Sequence, residues 1–264
     1  MCLPEWKSFR KYGRVVPNDA NPQMSLAASA YVIEKRQEKM IINPIAHIYN
    51  DFPEKFGLPR QSGLSENLLS RIVMEEEYRV PDAFRGITEY SHLWLIWEFE
   101  SLTDSKSFSP TVRPPKLGGN ERRGVFATRS PNRPNRLGLT LVRLVKMEND
   151  PERGPVLTVA GADIRSGTPL YDIKPYIAYA DQAPDAVSGF TEHISREPLT
   201  VSFEAPFPED ITEADRRTLE EVLALDPRPG YQADPDREYG MAYRKYQIRF
   251  RIQDNTVHVV SIES

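Results

Sequence analysis

The sequence predicts a mainly β protein: a barrel or sandwich followed by a smaller α+β unit. Three observations point there. Apolar runs are short and separated by long connections, and the 264 residues carry 23 prolines and 14 glycines to punctuate them. Few stretches show a helical period. The last forty or so residues include a strictly alternating run of period two.

The elements follow in order. Residues 1–40 read as an N-terminal extension of unknown role, with a helix expected over 22–39. β texture begins at Met40, and Ile41-Ile42 with Ile45–Ile48 form a first strand. The loop "DFPEKFGLPRQSGL" is broken at Pro53, Gly57, Pro59 and Gly63. Leu68–Met74 is a second strand and Pro81–Arg85 a short helical turn. "YSHLWLIWEF", Tyr90–Phe99, is apolar enough for a central strand buried on both faces. Phe108–Arg123 reads as a long loop. Phe126–Thr128, Gly138–Leu144, Val156–Ala160 and Ile177–Tyr179 read as further strands. The polar stretch Asp181–Gly189 is a candidate linker between a domain over 41–182 and a second over 190–264.

In that second domain Leu199–Phe203 is a strand. Thr212 with Asp215 makes a capping box in which Asp replaces Glu. Leu219, Val222 and Leu223 fall at helical spacing, and Asp226-Pro227 stops the helix. Tyr246, Ile248, Phe250 and Ile252 share one strand face; Lys245, Gln247, Arg249 and Arg251 share the other. Gln253–Asn255 turns the chain, and Val257–Ile262 pairs back.

Hydrophobic residues are 39% of the chain and charged residues 27%, the balance of a folded, water-soluble protein. The apolar run Leu93–Trp97 is too short to span a membrane, and the N-terminus lacks the apolar core of a secretory signal. Cys2 is the single cysteine, which excludes an intrachain disulfide and a cysteine zinc cluster. His47, His92, His193 and His258 are scattered, so no metal site is expected. A cytoplasmic protein with no membrane partner is the expectation.

Net charge is -4, yet the local pattern is the reverse. Between Arg113 and Arg143 stand Arg113, Lys116, Arg122, Arg123, Arg129, Arg133, Arg136 and Arg143 against one acid, Glu121. The centre of this region is "GVFATRSPNRPNRLGLTLVRL", Gly124–Leu144. Its arginines alternate with Pro, Gly and Asn, so they cannot be satisfied by helix-face pairing. A solvated face is the plain alternative. A stiff loop of forked donors points instead to an anion or ligand site.

Other chemistry is missing. No G-x-G-x-x-G follows a strand, and there is no Walker loop or G-x-S-x-G elbow, so a Rossmann fold is unsupported. "DIKPY", Asp172–Tyr176, has an acid, a proline and an aromatic, a set that amino-group methyltransferases use with other spacing. The simpler reading is a polar turn leading into Ile177–Tyr179.

Taken together, "PRQ" (Pro59–Gln61), "YSHLW" (Tyr90–Trp94), "TVRPPKLGGNERRGVFATRSPNRPNRLGL" (Thr111–Leu139), "GTPLYDIKPY" (Gly167–Tyr176) and "DPRPGY" (Asp226–Tyr231), in that order, resemble the TrmO family, also called TsaA-like or YaeB-like. The resemblance covers residues 41–264. It implies an S-adenosylmethionine-dependent methyltransferase acting on N6 of threonylcarbamoyladenosine at tRNA position 37. It further implies an antiparallel β-barrel cofactor domain, a smaller α+β C-terminal domain that contacts tRNA, and a homodimer with the cofactor near the interface.

By resemblance, Pro59, Arg60, Gln61, Glu100, Ser101, Arg129, Asn135, Gly138, Leu139, Asp163, Ile164 and Arg165 surround the cofactor. Glu100-Ser101 stands where the family has a His-Gln pair. Arg129 would hold the cofactor carboxylate or the adenosine, or contact tRNA phosphate. Asn135, Gly138 and Leu139 would let backbone approach the ligand. Asp172 is the candidate proton acceptor and Tyr176 the stacking ring, with Lys174 for the threonyl carboxylate or a phosphate; an Asp172–Lys174 pair without catalytic role is the alternative. Arg113, Lys116, Arg122, Arg123, Arg133, Arg136, Lys245, Arg249 and Arg251 are the RNA candidates. Two alternatives stay open: a methyltransferase with another acceptor, and a non-catalytic tRNA- or ligand-binding protein on the same fold.

Overall fold

A computed structural model describes residues 41–100, 109–114, 121–194, 197–228, 232 and 234–264. The helix expected over 22–39, like the whole extension over 1–40, lies outside the described residues, as do Ser101 and Lys116.

Among the described residues, eight strands precede residue 176: β1 (Ala46–Tyr49), β2 (Leu69–Met74), β3 (His92–Glu98), β4 (Thr111–Val112), β5 (Arg123–Gly124), β6 (Leu137–Asp150), β7 (Gly154–Ala160) and β8 (Thr168–Pro175). Six of them close a barrel in the order β1-β2-β7-β6-β3-β8, every pair antiparallel. Closure leaves this sheet no open edge. Ala46, Ile48, Ile72, Leu93, Leu95, Trp97, Val142, Leu157, Val159 and Leu170 fill its interior.

Several expectations are corrected. β3 is not buried on both faces: Leu93, Leu95 and Trp97 point inward, while Trp94 and Ile96 stay half-buried on the outside. An antiparallel barrel covers only the inner face of each strand. The segment expected as a strand at Phe126–Thr128 is a 3-10 turn, Val125–Ala127. The strand expected at Ile177–Tyr179 is a helical turn, α1 (Ala178–Asp181), because the Asp181 carboxylate accepts the Ile177 N–H at 2.8 Å and the Trp94 indole N–H at 3.2 Å. The strand lies earlier, at Thr168–Pro175, and takes in most of "DIKPY". The Phe108–Arg123 loop has paired stems, β4 against β5.

The C-terminal part holds β9 (Thr200–Phe203), α2 (Glu213–Ala224), β10 (Tyr239–Tyr243), β11 (Tyr246–Gln253) and β12 (Thr256–Glu263). Its sheet runs β10-β11-β12-β9, with β12 and β9 parallel. The capping box forms: the Asp215 N–H donates to the Thr212 hydroxyl, and the Thr212 N–H donates to the Asp215 carboxylate. Asp254 and Asn255 both have positive φ, the two-residue hairpin turn that matches strand twist. Leu219, Val222 and Leu223 of α2 pack on Met241, Ile248, Phe250, Val257 and Val259. Phe52, Leu58 and Leu68, from the β1–β2 connection, are part of the same core. At Gly57 (φ +98) a Cβ would lie 2.9 Å from the Met241 sulfur, so only glycine admits this approach.

Candidate active site

The arginine loop and the "PRQ" loop meet. Arg129 donates to the Gln61 side-chain oxygen at 2.6 Å. The Arg129 charge also acts on Asp163, three residues past the end of β7. Burial pushes the Asp163 carboxyl up from its ordinary value, against the Thr140 hydrogen bond and the Arg129 charge that draw it down. The Thr140 hydroxyl donates to Asp163 Oδ1 at 2.8 Å, and the Trp97 indole N–H donates to Thr140 at 2.9 Å. A chain of polar contacts thus runs from the barrel interior to a carboxylate on the rim.

Alternation along β6 explains the placement. Gly138, Thr140 and Val142 point inward; Leu137 and Leu139 point outward. The space that Gly138 leaves bare is taken by Trp97: a Cβ there would overlap the indole, within 2.7 Å of Nε1. Gly138 therefore serves the packing of Trp97, not only an open backbone. Thr140 escaped notice in the sequence, although a lone hydroxyl on the inward face of an otherwise apolar strand was a readable signal.

Beside Trp97 the ring of Phe99 lies with centroids 4.2 Å apart. Phe99 lines a cleft of about 320 Å³ with Glu98, Glu100, Arg136, Arg165, Thr168 and Pro169. Arg136 pairs with Glu98 at 3.2 Å, and Arg165 with Glu100 at 3.1 Å. The Tyr171 hydroxyl donates to Glu98 at 2.7 Å. That bond, with burial, pushes the phenol up to about 12; it also holds Glu98 below the usual carboxylate range, aided by Arg136. Glu98 and Tyr171 were not among the expected site residues.

The other expected residues fall as follows. Pro59 is buried, and Asn135 and Leu139 are exposed. Ile164 is buried in the barrel, and its carbonyl accepts from Asn50. The Arg60 guanidinium turns to the C-terminal part and donates to the Pro227 and Arg228 carbonyls. Arg133 is folded onto its own loop, donating to Val125 O at 3.1 Å and Thr128 O at 2.7 Å. Arg123 pairs with Glu121 and lies over the Phe190 ring. Arg122 reaches the Thr111 hydroxyl at 3.5 Å, and Arg113 is exposed. Lys245 pairs with Asp210, and Arg249 and Arg251 share Glu238.

Asp172, Lys174 and Tyr176 line the outside of the barrel beside β3. Asp172 stands opposite Ile96 and Lys174 opposite Trp94. Tyr171 is the extra residue of a bulge, which turns Asp172 and Lys174 outward. Lys174 and Asp172 form an ion pair at 2.8 Å, and Asp172 also accepts the Ile173 N–H. Hydrogen bonding to Asp172 raises the Lys174 ammonium pKa. The Tyr176 ring meets His92 and Trp94 at 6.2 and 6.1 Å. On β6, Leu139 stands opposite Ile96 and Leu141 opposite Trp94, so acid, lysine and aromatic flank an outward apolar stripe. Among the described residues, no group of three or more His, Cys, Asp or Glu side chains could hold a metal, and no helix is long and apolar enough to cross a membrane.

The tRNA-methyltransferase O N-terminal domain model matches residues 47–182, and the TrmO C-terminal domain model matches residues 196–264. The chain belongs to the TrmO family. It is 35% identical to the tRNA (adenine(37)-N6)-methyltransferase of Escherichia coli K12, covering 83% of this chain and 96% of that protein. It is 42% identical to the protein of the same name from Eikenella corrodens, over 62% of this chain and 92% of the relative. A TrmO crystal structure superposes with TM-score 0.67 and 28% identity over 86% of this chain and all of that one. TrmO from Pseudomonas aeruginosa gives the same TM-score at 26% identity, covering 86% of this chain and 99% of that chain. The mainly β architecture, a closed antiparallel barrel with a smaller sheet domain, is that of the TrmO fold.

Proposed function

We propose that this protein is an S-adenosylmethionine-dependent methyltransferase that methylates N6 of adenosine 37 in tRNA, with the threonylcarbamoyl-modified base as its acceptor. The observation that carries the reading is the convergence of Arg129, Gln61 and Asp163 on a rim beside Trp97 and Phe99. S-adenosylmethionine offers a carboxylate, an ammonium, ribose hydroxyls and an adenine. The donor set fits it: a forked guanidinium for the carboxylate, a half-buried carboxylate for the ammonium or a hydroxyl, and rings for the base. Pro59, Glu100, Asn135, Gly138, Leu139, Ile164 and Arg165 would border the ligand. When bound, the cofactor supplies an electrophilic methyl group on a sulfonium.

The chain's own residues supply positioning and a proton acceptor. The N6 lone pair of the acceptor is delocalised into the purine and the carbamoyl carbonyl, so it attacks well only as its proton leaves. Asp172 takes that proton. Lys174, now on Asp172, turns to the threonyl carboxylate when substrate enters, and Tyr176 stacks on the base. Holding the reacting atoms in line provides most of the acceleration.

The outward stripe of Leu137, Leu139, Ile96 and Trp94 supports a homodimer, since Leu137 is 42% and Leu139 59% exposed in the single chain. The C-terminal domain, with Lys245, Arg249 and Arg251, binds the anticodon stem-loop; Arg113, Lys116 and Arg122 add phosphate contacts. The surface ion pairs of Lys245, Arg249 and Arg251 are cheap to exchange for phosphates, so tRNA affinity falls steeply with added salt. The setting is cytoplasmic. The test is label transfer from S-adenosylmethionine to tRNA by wild type and Asp172→Asn. The variant is expected to lose about 10²–10⁴-fold in rate with cofactor affinity kept; normal turnover removes Asp172 as the base.

A further inference from the structure

The β1–β2 connection reaches two places at once. Its Phe52, Leu58 and Leu68 sit in the C-terminal core. Its Gln61 receives the hydrogen bond from Arg129. Arg60 lies between these anchors, and its Nη2 donates to Pro227 O at 3.3 Å and Arg228 O at 2.6 Å. Both carbonyls belong to the bend just after α2. That bend is shaped by Asp226 at φ 54, whose carboxylate accepts from Arg228 Nε at 3.0 Å. One guanidinium nitrogen thus holds two successive carbonyls of the second domain, while the next residue in the chain holds the arginine loop of the first.

We propose that Arg60 is a positioning residue that couples the C-terminal domain to the cofactor site through Gln61 and Arg129. The proposal rests on the reading that Arg129 and Asp163 hold the cofactor. The resemblance implies a place for Arg60 around the cofactor; its hydrogen bonds run to the α2 bend. Docking of the α2 bend fixes Arg60, Arg60 fixes the backbone at Gln61, and Gln61 orients the Arg129 fork. An arginine is suited to this because its rigid planar head can serve two acceptors from a single nitrogen. Coupling of this kind is reciprocal: if the C-terminal bend tightens cofactor binding, cofactor must tighten the bend. A tRNA held by the C-terminal domain would then act on the cofactor loop through the same clamp.

The experiment uses the full chain with S-adenosylhomocysteine as the probe. Calorimetry gives its affinity for wild type, Arg60→Ala and Arg60→Gln, and amide hydrogen exchange follows the segment 225–228 with and without the probe. Circular dichroism and a denaturation midpoint establish that each variant is folded; Arg60→Gln keeps the length of a polar side chain should Arg60→Ala not fold. The expected result is affinity weaker by about tenfold, with ligand-dependent slowing of exchange at 225–228 present in wild type and absent in the variants. Unchanged affinity in a folded variant overturns the proposal. So does weakened affinity with the ligand-dependent protection intact, because Arg60 would then be touching the ligand directly. Arg129→Ala separates the two layers: if it leaves affinity unchanged, the cofactor-site reading itself falls, whatever Arg60 does.

Discussion

Arg129 donates to the side chain of Gln61 at 2.6 Å, joining two loops that lie 68 residues apart in the chain. The contact explains why a stiff arginine loop and a short "PRQ" turn occur in one protein: each orients the other. It also makes the two side chains energetically dependent. Gln61→Ala and Arg129→Ala should each weaken S-adenosylhomocysteine binding. The double variant should lose less than the sum of the two, by roughly 1 kcal/mol. Strict additivity in calorimetric titrations would mean that the two side chains act separately.

Asp163 is a carboxyl whose pKa is raised, chiefly by burial. A raised folded-state pKa gives stability that is fully present below the unfolded value, near 4, and lost as pH rises through the folded value. The ionised carboxylate, desolvated by burial, therefore works against the fold as pH rises. Asp163→Asn is expected to remove the fall in stability that wild type shows as pH rises above about 4. The same change should weaken S-adenosylhomocysteine binding about tenfold, since a charge-assisted hydrogen bond is lost. A variant whose stability falls with rising pH as steeply as that of wild type would contradict this reading of Asp163.

Gly138 gives up its Cβ position to the Trp97 indole. Gly138→Ala forces the ring to move and strains the Trp97–Thr140–Asp163 chain behind it. A loss of about 2 kcal/mol is expected from overpacking, with a shift in tryptophan emission and weaker cofactor binding. Unchanged stability and emission in urea denaturation would show that the indole is not held there.

The parts of the fold that were legible are those set by local chemistry. The strict alternation of Tyr246–Ile252 and the Thr212–Asp215 box needed only neighbours in sequence, and both stand in the structure. β8 was hidden because the bulge at Tyr171 breaks its period and because Asp172 and Lys174 face outward, so the strand reads as polar. Ile177–Tyr179 looked like a strand but finds no cross-strand partner among the described residues, and the Asp181 carboxylate closes it into a turn. The site was partly legible. The arginine motif marked the loop, but whether an arginine points to a ligand, to its own carbonyls as Arg133 does, or to another domain as Arg60 does depends on contacts far away in sequence. Thr140 and Asp163, 23 residues apart, meet through the hydrogen bond between their side chains, just beyond the last β6–β7 pair, Arg143 with Ala160.

Arg244 ties the barrel side to the C-terminal domain, pairing with Asp51 at 3.1 Å and Asp215 at 2.7 Å. Burial works to raise the Asp215 pKa. Hydrogen bonds from Thr212 and Tyr243 and the Arg244 charge outweigh it, leaving the carboxyl below its ordinary value. A depressed pKa gives stability present above the unfolded value, about 4, and lost as pH falls through the folded one. Arg244→Met should cost about 2 kcal/mol at pH 7, because Asp215 is left buried without its cation. The gap from wild type should narrow in denaturation at pH 3. A gap that stays constant across that range would assign the loss to packing alone.

The chemistry of this site turns on the identity of the acceptor base. The measurement is methyl transfer from labelled S-adenosylmethionine to two tRNA pools, one carrying threonylcarbamoyladenosine at position 37 and one with plain adenosine there. Label in the modified pool alone, lost with Asp172→Asn and Arg129→Ala, is the result predicted. Label in neither pool while S-adenosylhomocysteine still binds, or equal label in both, would contradict it.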